Sequence, residues 1–326
     1  MGDFLKGYKG FKKGLVCKDK QYKENTVFEE DEAVICKKGM HFCVNPFDVL
    51  DHYDLVNEDG TFNDFAEVEA LSDSKTNDDK KYCTTKLKIG AKLSFSGFVN
   101  ACVNFVMEKT KIEDVSIEER IKNPNLLNDN GLDSAQIGSS GDSAQIGSSG
   151  DSAKIGSSGY SAKIGSSGDS AQIGSSGDSA KIGSSGDSAQ IGSSGDFAKI
   201  GSSGDSAQIG SSGDSAQIGS SGDSAQIGSS GDSAKIGSSG DFAKIGSSGD
   251  SAQIDSSGES SVICCAGRNS IAKAKKGSWI TLSEWEYSNE KGRYIPVCVK
   301  TEYVDGENIK EDTFYKLING KFTECN

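Results

Sequence analysis

The chain has no run of apolar residues close to the ~20 that a helix needs to cross a bilayer. The first ten residues also lack the long apolar core of a secretory signal. Positive charge is not in excess, because the 326 residues carry a formal net charge of -13, and an acidic surface repels phosphate and anionic lipid. The sequence therefore predicts no membrane association and no direct nucleic-acid partner.

Cysteine is present nine times, an odd number that does not suggest a complete disulfide framework. Without a secretory signal, such cysteines are expected to be reduced thiols in a reducing compartment. We therefore predict a cytoplasmic, acidic protein.

One stretch dominates the chain. Residues 133–258 contain the nonapeptide Asp-Ser-Ala-(Gln/Lys)-Ile-Gly-Ser-Ser-Gly fourteen times without insertion or deletion. A period this strict is typical of a solenoid, in which each unit packs against copies of itself. If Ser-Ala-Gln-Ile-Gly-Ser is extended, Ala and Ile share one face. The following Ser-Ser-Gly-Asp is rich in turn formers, with Gly supplying positive φ.

A single strand cannot bury its Ala and Ile face alone, so we predict that two units form one coil of about 18 residues with a sheet on either side of a thin core. Triangular coils of three units are an alternative, but fourteen units are not a multiple of three. A disordered Gly/Ser linker is another, but it would not need Ala and Ile in fixed phase. Gln and Lys interchange at the fourth position, which indicates that it faces outward. The predicted core residues include Ala135, Ile137, Ala144, Ile146, Ala198, Ile200, Ala252 and Ile254.

The flanks of the repeat are predicted to be ordinary domains. Residues 1–93 indicate a small α+β domain with a short helix from Phe47 to Tyr53, and residues 94–132 an amphipathic helix and connector that cover the first coil. The solenoid is predicted over 133–267, ending in a fifteenth unit. Turn signals around 289–292, 304–307 and 318–320 predict an antiparallel β-meander over 268–326 that caps the rod. The fold class is thus mainly β, a two-sheet parallel β-solenoid between these two modules.

Several segments of the flanks resemble an uncharacterised domain family common in phage and prophage proteins. They are Tyr8-Lys9-Gly10-Phe11, Cys17, Tyr22, Cys36-x-x-Gly39-x-His41-Phe42-Cys43-x-Asn45-Pro46-x-Asp48-Val49-Leu50 and Ala66-Glu67-Val68, and beyond the repeat Gly267-Arg268-Asn269, Lys276 to Ile280 and Trp285. Members of that family often carry short Gly/Ser/Ala repeats. The resemblance implies a phage-related origin and brings no activity with it.

The sequence offers two candidate metal sites. Cys36, His41 and Cys43, with Cys17, are candidate zinc ligands, but Cys-x4-His-x-Cys is not a zinc-finger spacing, and we favour a structural role for them. The repeat invites comparison with calcium-binding nonapeptides, but Asp133 stands four residues before Ile137 and one Asp per corner supplies too few ligands. We predict that Asp bonds to the backbone of the corner, and that the protein holds no metal or cofactor.

The segment Tyr8-Lys9-Gly10 also resembles the aromatic-Arg-Gly opening of ADP-ribosyltransferases, and Gly39-x-His41-Phe42 stands where the next motif of that class would follow. Lys9 replaces the expected Arg, and no catalytic Glu motif follows. This predicts a degenerate relative without activity, so we name no catalytic residue.

The leading functional prediction is a non-enzymatic structural protein, a rigid rod that associates with itself head to tail into a filament. The predicted contact residues are the apolar and aromatic residues near the end of the repeat, Val262, Ile263, Cys264, Cys265, Trp279 and Trp285. Two alternatives remain: an acidic rod that sequesters a basic partner by mimicking nucleic acid, and the degenerate transferase.

Overall fold

The computed structural model describes residues 5–57, 62–110, 126–128 and 134–325. The N-terminal domain contains a seven-stranded antiparallel sheet with strand order β4-β9-β6-β1-β5-β8-β7 and a separate two-stranded hairpin, β2-β3. The strands are β1 Lys6–Phe11, β2 Val16–Cys17, β3 Lys20–Gln21, β4 Thr26–Glu29, β5 Met40–Cys43, β6 Asp64–Ala70, β7 Ser74–Thr76, β8 Lys81–Thr84 and β9 Lys86–Leu93.

Two helices complete this domain. Helix α1 is short, Pro46–Val49, and the side chain of Asn45 caps it by accepting a hydrogen bond from the Phe47 amide at 3.0 Å. Helix α2 is Phe95–Thr110 and packs on the sheet through Phe98, whose ring stacks on Phe65 with centroids 3.8 Å apart. Of the amphipathic helix and connector predicted over 94–132, the helix is present to residue 110, and residues 111–125 and 129–132 lie outside the described part.

The repeat forms the predicted two-sheet parallel β-solenoid. Strands 18 residues apart pair in register, so that Ile155 lies beside Ile173. The sixteen strands β11 to β26, two per coil, make eight coils. After β10 Leu126–Asn128, these strands are Gln136–Ser139, Gln145–Ser148, Lys154–Ser157, Lys163–Ser166, Gln172–Ser175, Lys181–Ser184, Gln190–Ser193, Lys199–Ser202, Gln208–Ser211, Gln217–Ser220, Gln226–Ser229, Lys235–Ser238, Lys244–Ser247, Gln253–Ser256, Val262–Cys265 and Ile271–Ala274.

The interior of the solenoid is lined by Ala, Ile and Ser. Of the eight core residues named from the sequence, Ala135 and Ile137 in the first coil are half-buried and the other six are fully buried. The first Ser of each Ser-Ser pair also points inward, a position that the sequence did not single out. Ten of these buried hydroxyls have no hydrogen-bond partner among the described residues, Ser166, Ser175, Ser184, Ser193, Ser202, Ser211, Ser220, Ser229, Ser238 and Ser247.

The corner differs from the prediction in where it places positive φ. The second residue of each unit except the one that begins with Tyr160 adopts it, as in Ser206 with φ 56° and Phe197 with φ 57°, whereas the last glycine does not. That glycine is required for a different reason. A Cβ on Gly213 would overlap the carbonyl oxygen of Gly195, one coil below, so the corners can stack only without a side chain there.

The C-terminal region departs from a simple meander. Residues 271–274, predicted to belong to the meander, instead form the sixteenth repeat strand, β26, whose Ala272 lies beside Ile254. Two hairpins follow, β27 Trp279–Ser288 with β28 Arg293–Tyr303 and β29 Phe314–Ile318 with β30 Lys321–Cys325. Each hairpin extends a different sheet, so the segment around 304–307 is a crossover between sheets rather than a hairpin turn. Within the described part of the chain, neither helix is long and apolar enough to span a bilayer.

Candidate interaction surfaces

The two sheets of the solenoid have different surroundings. The 11-stranded sheet, β10-β12-β14-β16-β18-β20-β22-β24-β26-β29-β30, is overlain by the N-terminal domain, and we call it the covered sheet. The 10-stranded sheet, β11-β13-β15-β17-β19-β21-β23-β25-β27-β28, carries no other part of the described chain on its outer face, and we call it the open sheet. Helix α2 contacts β12, β14, β16 and β18, and so covers several coils rather than the first alone.

A column of glycines on the covered sheet admits helix α2. A Cβ on Gly183 would lie 3.4 Å from Val103, and a Cβ on Gly201 would lie 2.9 Å from Val99. Further along, a Cβ on Gly219 would lie 2.8 Å from Cε2 of Phe95. Four helical residues advance about 6 Å and successive strands about 4.8 Å, so each step of four along α2 meets the next coil. The glycines therefore form a groove for this helix.

Beside the glycines, a column of lysines pairs with the acidic residues that begin in α1. Lys163 lies 2.5 Å from Asp48, Lys181 2.5 Å from Asp51, and Lys199 3.1 Å from Asp54. The three aspartates are three residues apart in sequence, and each meets the lysine of a successive coil, although only Asp48 lies within α1.

In the next coil, Gln217 instead accepts a hydrogen bond from the Leu55 amide at 3.0 Å. The fourth position of the repeat points away from the core as predicted, yet on the covered sheet its side chains are half-buried, and Lys181 is only 6% exposed.

The open sheet presents the same columns uncovered. Apart from the glycine and its two neighbours in the chain, no heavy atom of the described residues lies within 4 Å of a Cβ built on Gly174, Gly192, Gly210 or Gly228. Together with the outward glutamines and lysines beside them, these glycines form a shallow trough of about 1280 Å³ that runs from β11 to β25. Because the repeat unit is the same on both sheets, the open sheet has the chemistry that already holds a helix on the other side.

The C-terminal end of this trough is apolar. Val262 continues the Gln/Lys column and is 51% exposed, and it is followed in register by Trp279 and Tyr303, which are 48% and 43% exposed. The rings of Trp279 and Tyr303 are 5.0 Å apart. We call these three residues the apolar end of the open sheet. Large exposed aromatic residues of this kind are typical anchors of interfaces.

The six contact residues named from the sequence therefore fall into three groups, namely exposed, buried and half-buried residues. Val262, Cys264 and Trp279 are exposed on the open sheet, on the side of the rod rather than at its tip. Ile263 and Cys265 are 0% and 1% exposed and belong to the solenoid core. The half-buried Trp285 donates its indole N–H to the Ala266 carbonyl at 3.1 Å. Tyr303 was missed, because its place beside Trp279 depends on the register of the hairpin.

The corner aspartates are bound to the backbone, as predicted. Asp205 Oδ1 accepts the amide of Asp223 and Asp223 Oδ1 accepts the amide of Asp241, each at 2.8 Å. The corner residues of successive coils form two columns, one at each corner of the rod. Tyr160 interrupts one column, because its side chain has no carboxylate to accept the Asp178 amide. One oxygen of each such carboxylate is thereby used to hold adjacent coils together.

The candidate metal ligands take separate roles. His41 Nε2 accepts the Cys36 amide at 2.9 Å, and Cys17 Sγ lies 2.8 Å from the Tyr53 hydroxyl. Cys43 is buried, and burial raises the pKa of its thiol to about 12. Among the residues that the structure describes, no three His, Cys, Asp or Glu side chains are placed to hold one metal ion.

Comparison with known proteins bears on the N-terminal domain only. No curated protein and no solved structure matches the chain. Residues 5–101 match a family model described as "Domain of unknown function (DUF7666)". This agrees with the predicted resemblance to an uncharacterised domain family, while the phage-related origin and the extension beyond the repeat stay predictions. The chain thus joins a domain similar to DUF7666, residues 5–101, to a β-solenoid that this domain overlies.

Proposed function

We propose that this protein is a non-enzymatic interaction scaffold, a rigid β-solenoid whose open sheet binds a partner. One observation carries the proposal. The glycine column that receives helix α2 on the covered sheet, and the Gln/Lys column that pairs with the segment from α1 to Leu55, both recur on the open sheet, where no described residue occupies them. The β-solenoid fold itself fits a structural role.

The covered sheet indicates what kind of partner would fit. There, Phe95, Val99 and Val103 stand four residues apart and lie over the glycines, while Asp51 and Asp54 pair with the neighbouring lysines. A partner for the open sheet would be an amphipathic helix with the same spacing of apolar residues. Its large apolar side chains would end against Trp279 and Tyr303. Acidic residues beside them would face Lys154 and Lys244, the two lysines of this column.

Site-specific photocrosslinking tests this proposal. A photoreactive phenylalanine analogue would replace either Gln208, which is exposed on the open sheet, or Phe197, which is exposed on a corner in the preceding unit. Both positions lie at nearly the same height on the rod, so they differ mainly in the face they report. We expect a discrete adduct with one partner from position 208 and none from position 197.

A second set of variants separates specific from nonspecific adducts. Gly192→Val and Gly210→Val fill the trough, and Trp279→Ala removes part of its apolar end. Each should abolish or strongly reduce the adduct from position 208 while the circular dichroism spectrum is unchanged. Adducts of equal yield at positions 208 and 197, or insensitive to all three substitutions, would contradict the proposal.

Head-to-tail assembly into a filament stays a prediction. The outer edge of β28 has no strand partner among the described residues, as an assembling end would require. However, Pro296 and the register shift at Glu284/Trp285 are devices that hinder pairing along an edge. We therefore place the functional surface on the open sheet.

A further inference from the structure

The N-terminal domain contains a pocket of about 480 Å³ that the scaffold proposal does not use. It lies between β1, the β2-β3 hairpin, β5 and the turn after α1, with Lys9, Cys17, His41, Tyr53 and Lys81 among its walls. A volume of this size is within the range of small-molecule sites. The whole pocket falls inside residues 5–101, the segment that matches the domain family.

The pocket is positively charged although the chain is acidic. Two carboxylates, Asp19 and Glu30, lie among six lysines, a formal excess of four positive charges in a chain of net charge -13. Glu30 is already paired with Lys20 at 2.8 Å. The lysines of the pocket are Lys9, Lys18, Lys20, Lys37, Lys38 and Lys81. Ammonium groups gathered in a partly enclosed site concentrate anions.

Lys9 is the most unusual of these residues. Its side chain is almost fully buried, at 5% exposure, and no carboxylate of the described residues forms an ion pair with it. Its ammonium donates to the His41 carbonyl at 3.0 Å and to Cys17 Sγ at 3.5 Å, and lies 5.2 Å from the centre of the Phe11 ring. Burial lowers the pKa of Lys9. A buried cation surrounded by neutral groups is costly, and a bound anion would offset that cost.

The two histidines of the pocket, His41 and His52, favour the neutral form. Burial, assisted by the nearby positive charges of Lys81 and Lys9, lowers the pKa of His41 to about 4. His41 is therefore neutral near pH 7, as its acceptance of the Cys36 amide requires. Burial and Lys81 also lower the pKa of His52. Burial is the larger cause in both cases, and the nearby lysines act in the same direction.

We propose that this pocket binds a small aromatic phosphate ester, with the phosphate held by Lys9 and Lys81 and the ring against Tyr22, Phe42 and Tyr53. A phosphate carries about 1.5 to 2 negative charges at neutral pH and suits several ammonium groups better than a carboxylate does. The volume exceeds that of the phosphate alone, and the aromatic walls favour a planar organic part.

Isothermal titration calorimetry of the full chain tests the site with phenyl phosphate and adenosine monophosphate as probes. We expect saturable 1:1 binding of at least one probe, and at least tenfold weaker binding of phenol, adenosine and inorganic phosphate. Failure of both probes to bind at millimolar concentration would overturn the proposal. If inorganic phosphate bound as tightly as the esters, the aromatic residues would contribute nothing, and their proposed contact with the ring of the ligand would be overturned.

Charge-matched variants locate the binding. Lys9→Met and Lys81→Gln should each weaken the probe at least tenfold, and Lys81 is only half-buried, so its replacement does not endanger folding. Lys154→Gln removes the same charge on the open sheet, where Gln already occurs in the repeat, and should leave binding unchanged. Equal effects of Lys81→Gln and Lys154→Gln would indicate nonspecific attraction and overturn the site.

Nuclear magnetic resonance of His41 gives a readout independent of affinity. A dianion in the pocket should raise the pKa of this imidazole, because it opposes the lysine charges that depress it. An unchanged titration of His41 at saturating probe would place the ligand elsewhere and overturn the proposal. The site is remote from the open sheet, so its failure and that of the scaffold proposal are distinguishable.

Discussion

Valine at Gly219 should give a less stable protein than valine at Gly210, although the two glycines occupy identical nonapeptides. Residues 205–213 and 214–222 both read Asp-Ser-Ala-Gln-Ile-Gly-Ser-Ser-Gly. Gly210 lies on the open sheet with nothing within 4 Å of a built Cβ, whereas a Cβ on Gly219 meets Phe95 and Phe62. The rings of Phe95 and Phe62 are stacked with centroids 4.4 Å apart, so neither ring yields freely.

Because the two units have the same sequence, the difference between the two variants measures only the effect of packing against the N-terminal domain. Replacing a strand glycine by valine alters β-propensity by up to ~1 kcal/mol in the favourable direction, and this intrinsic change is common to both sites. Overpacking adds a loss of about 1–3 kcal/mol at Gly219 alone. Gly210→Val should therefore be neutral or stabilising, and Gly219→Val should be less stable than it by about 1–3 kcal/mol. The loss cannot exceed the free energy with which the domain docks, because undocking relieves the clash.

Chemical denaturation followed by circular dichroism measures the difference, and amide hydrogen exchange in α2 shows whether the domain loosens. Faster exchange of α2 amides is expected in Gly219→Val and not in Gly210→Val. Adding Phe95→Ala should recover most of the loss in Gly219→Val, since it vacates the space that valine needs. Equal stability and equal α2 exchange in the two single variants would refute the assignment of one covered and one open sheet.

Further predictions concern other parts of the chain. Lys163→Gln should lower the free energy of unfolding by about 3 kcal/mol, because it leaves Asp48, whose side chain is 6% exposed, without its partner. Lys154→Gln should leave the free energy of unfolding unchanged, and thermal or chemical unfolding measures both. Ser211→Ala should stabilise the protein by about 1 kcal/mol, since it removes a buried hydroxyl without a partner; a loss of stability would show that the hydroxyl is bonded. The pKa of His41 is about 4 in the folded protein and about 6.5 in the unfolded chain, so the unfolded chain takes up the proton first and the free energy of unfolding should fall as pH drops from 6.5 towards 4. His41→Gln should make that fall less steep. An unaltered pH profile in the variant would contradict the lowered pKa of His41. Electron microscopy over a concentration series tests the filament, and single rods at every concentration would exclude it.

Much of the fold follows from local patterns. The fixed phase of Ala and Ile, the turn residues in each unit and the inability of one strand to bury its apolar face predict two sheets and an 18-residue coil, as observed. The amphipathic spacing in Phe98, Cys102 and Val106 predicts α2, and all three are buried. These features are available from the sequence because they depend on residues close along the chain.

The predicted contact residues and the lysine-rich pocket differ in how far sequence reasoning reaches. Val262, Ile263, Cys264 and Cys265 form one apolar run, and alternation along a strand buries two of them and exposes the other two. The phase of the repeat already places Ile263 at the inward Ile position, in register with Ile245 one coil earlier, so the sequence could have separated the two pairs. The lysine-rich pocket depends on contacts between β1, β5 and segments far apart in sequence, so no spacing rule could have assembled it.

The sequence by itself determined a parallel rod of stacked nonapeptides, because every unit repeats the same strand, the same inward Ala and Ile and the same corner. Only the tertiary structure decided that the two sides of this rod differ. Gln208 and Gln217 stand in identical units, yet Gln208 is exposed and Gln217 accepts the amide of Leu55, 162 residues away. The reason is that successive units alternate between sheets and the N-terminal domain docks on one sheet only, a long-range contact that no local pattern contains.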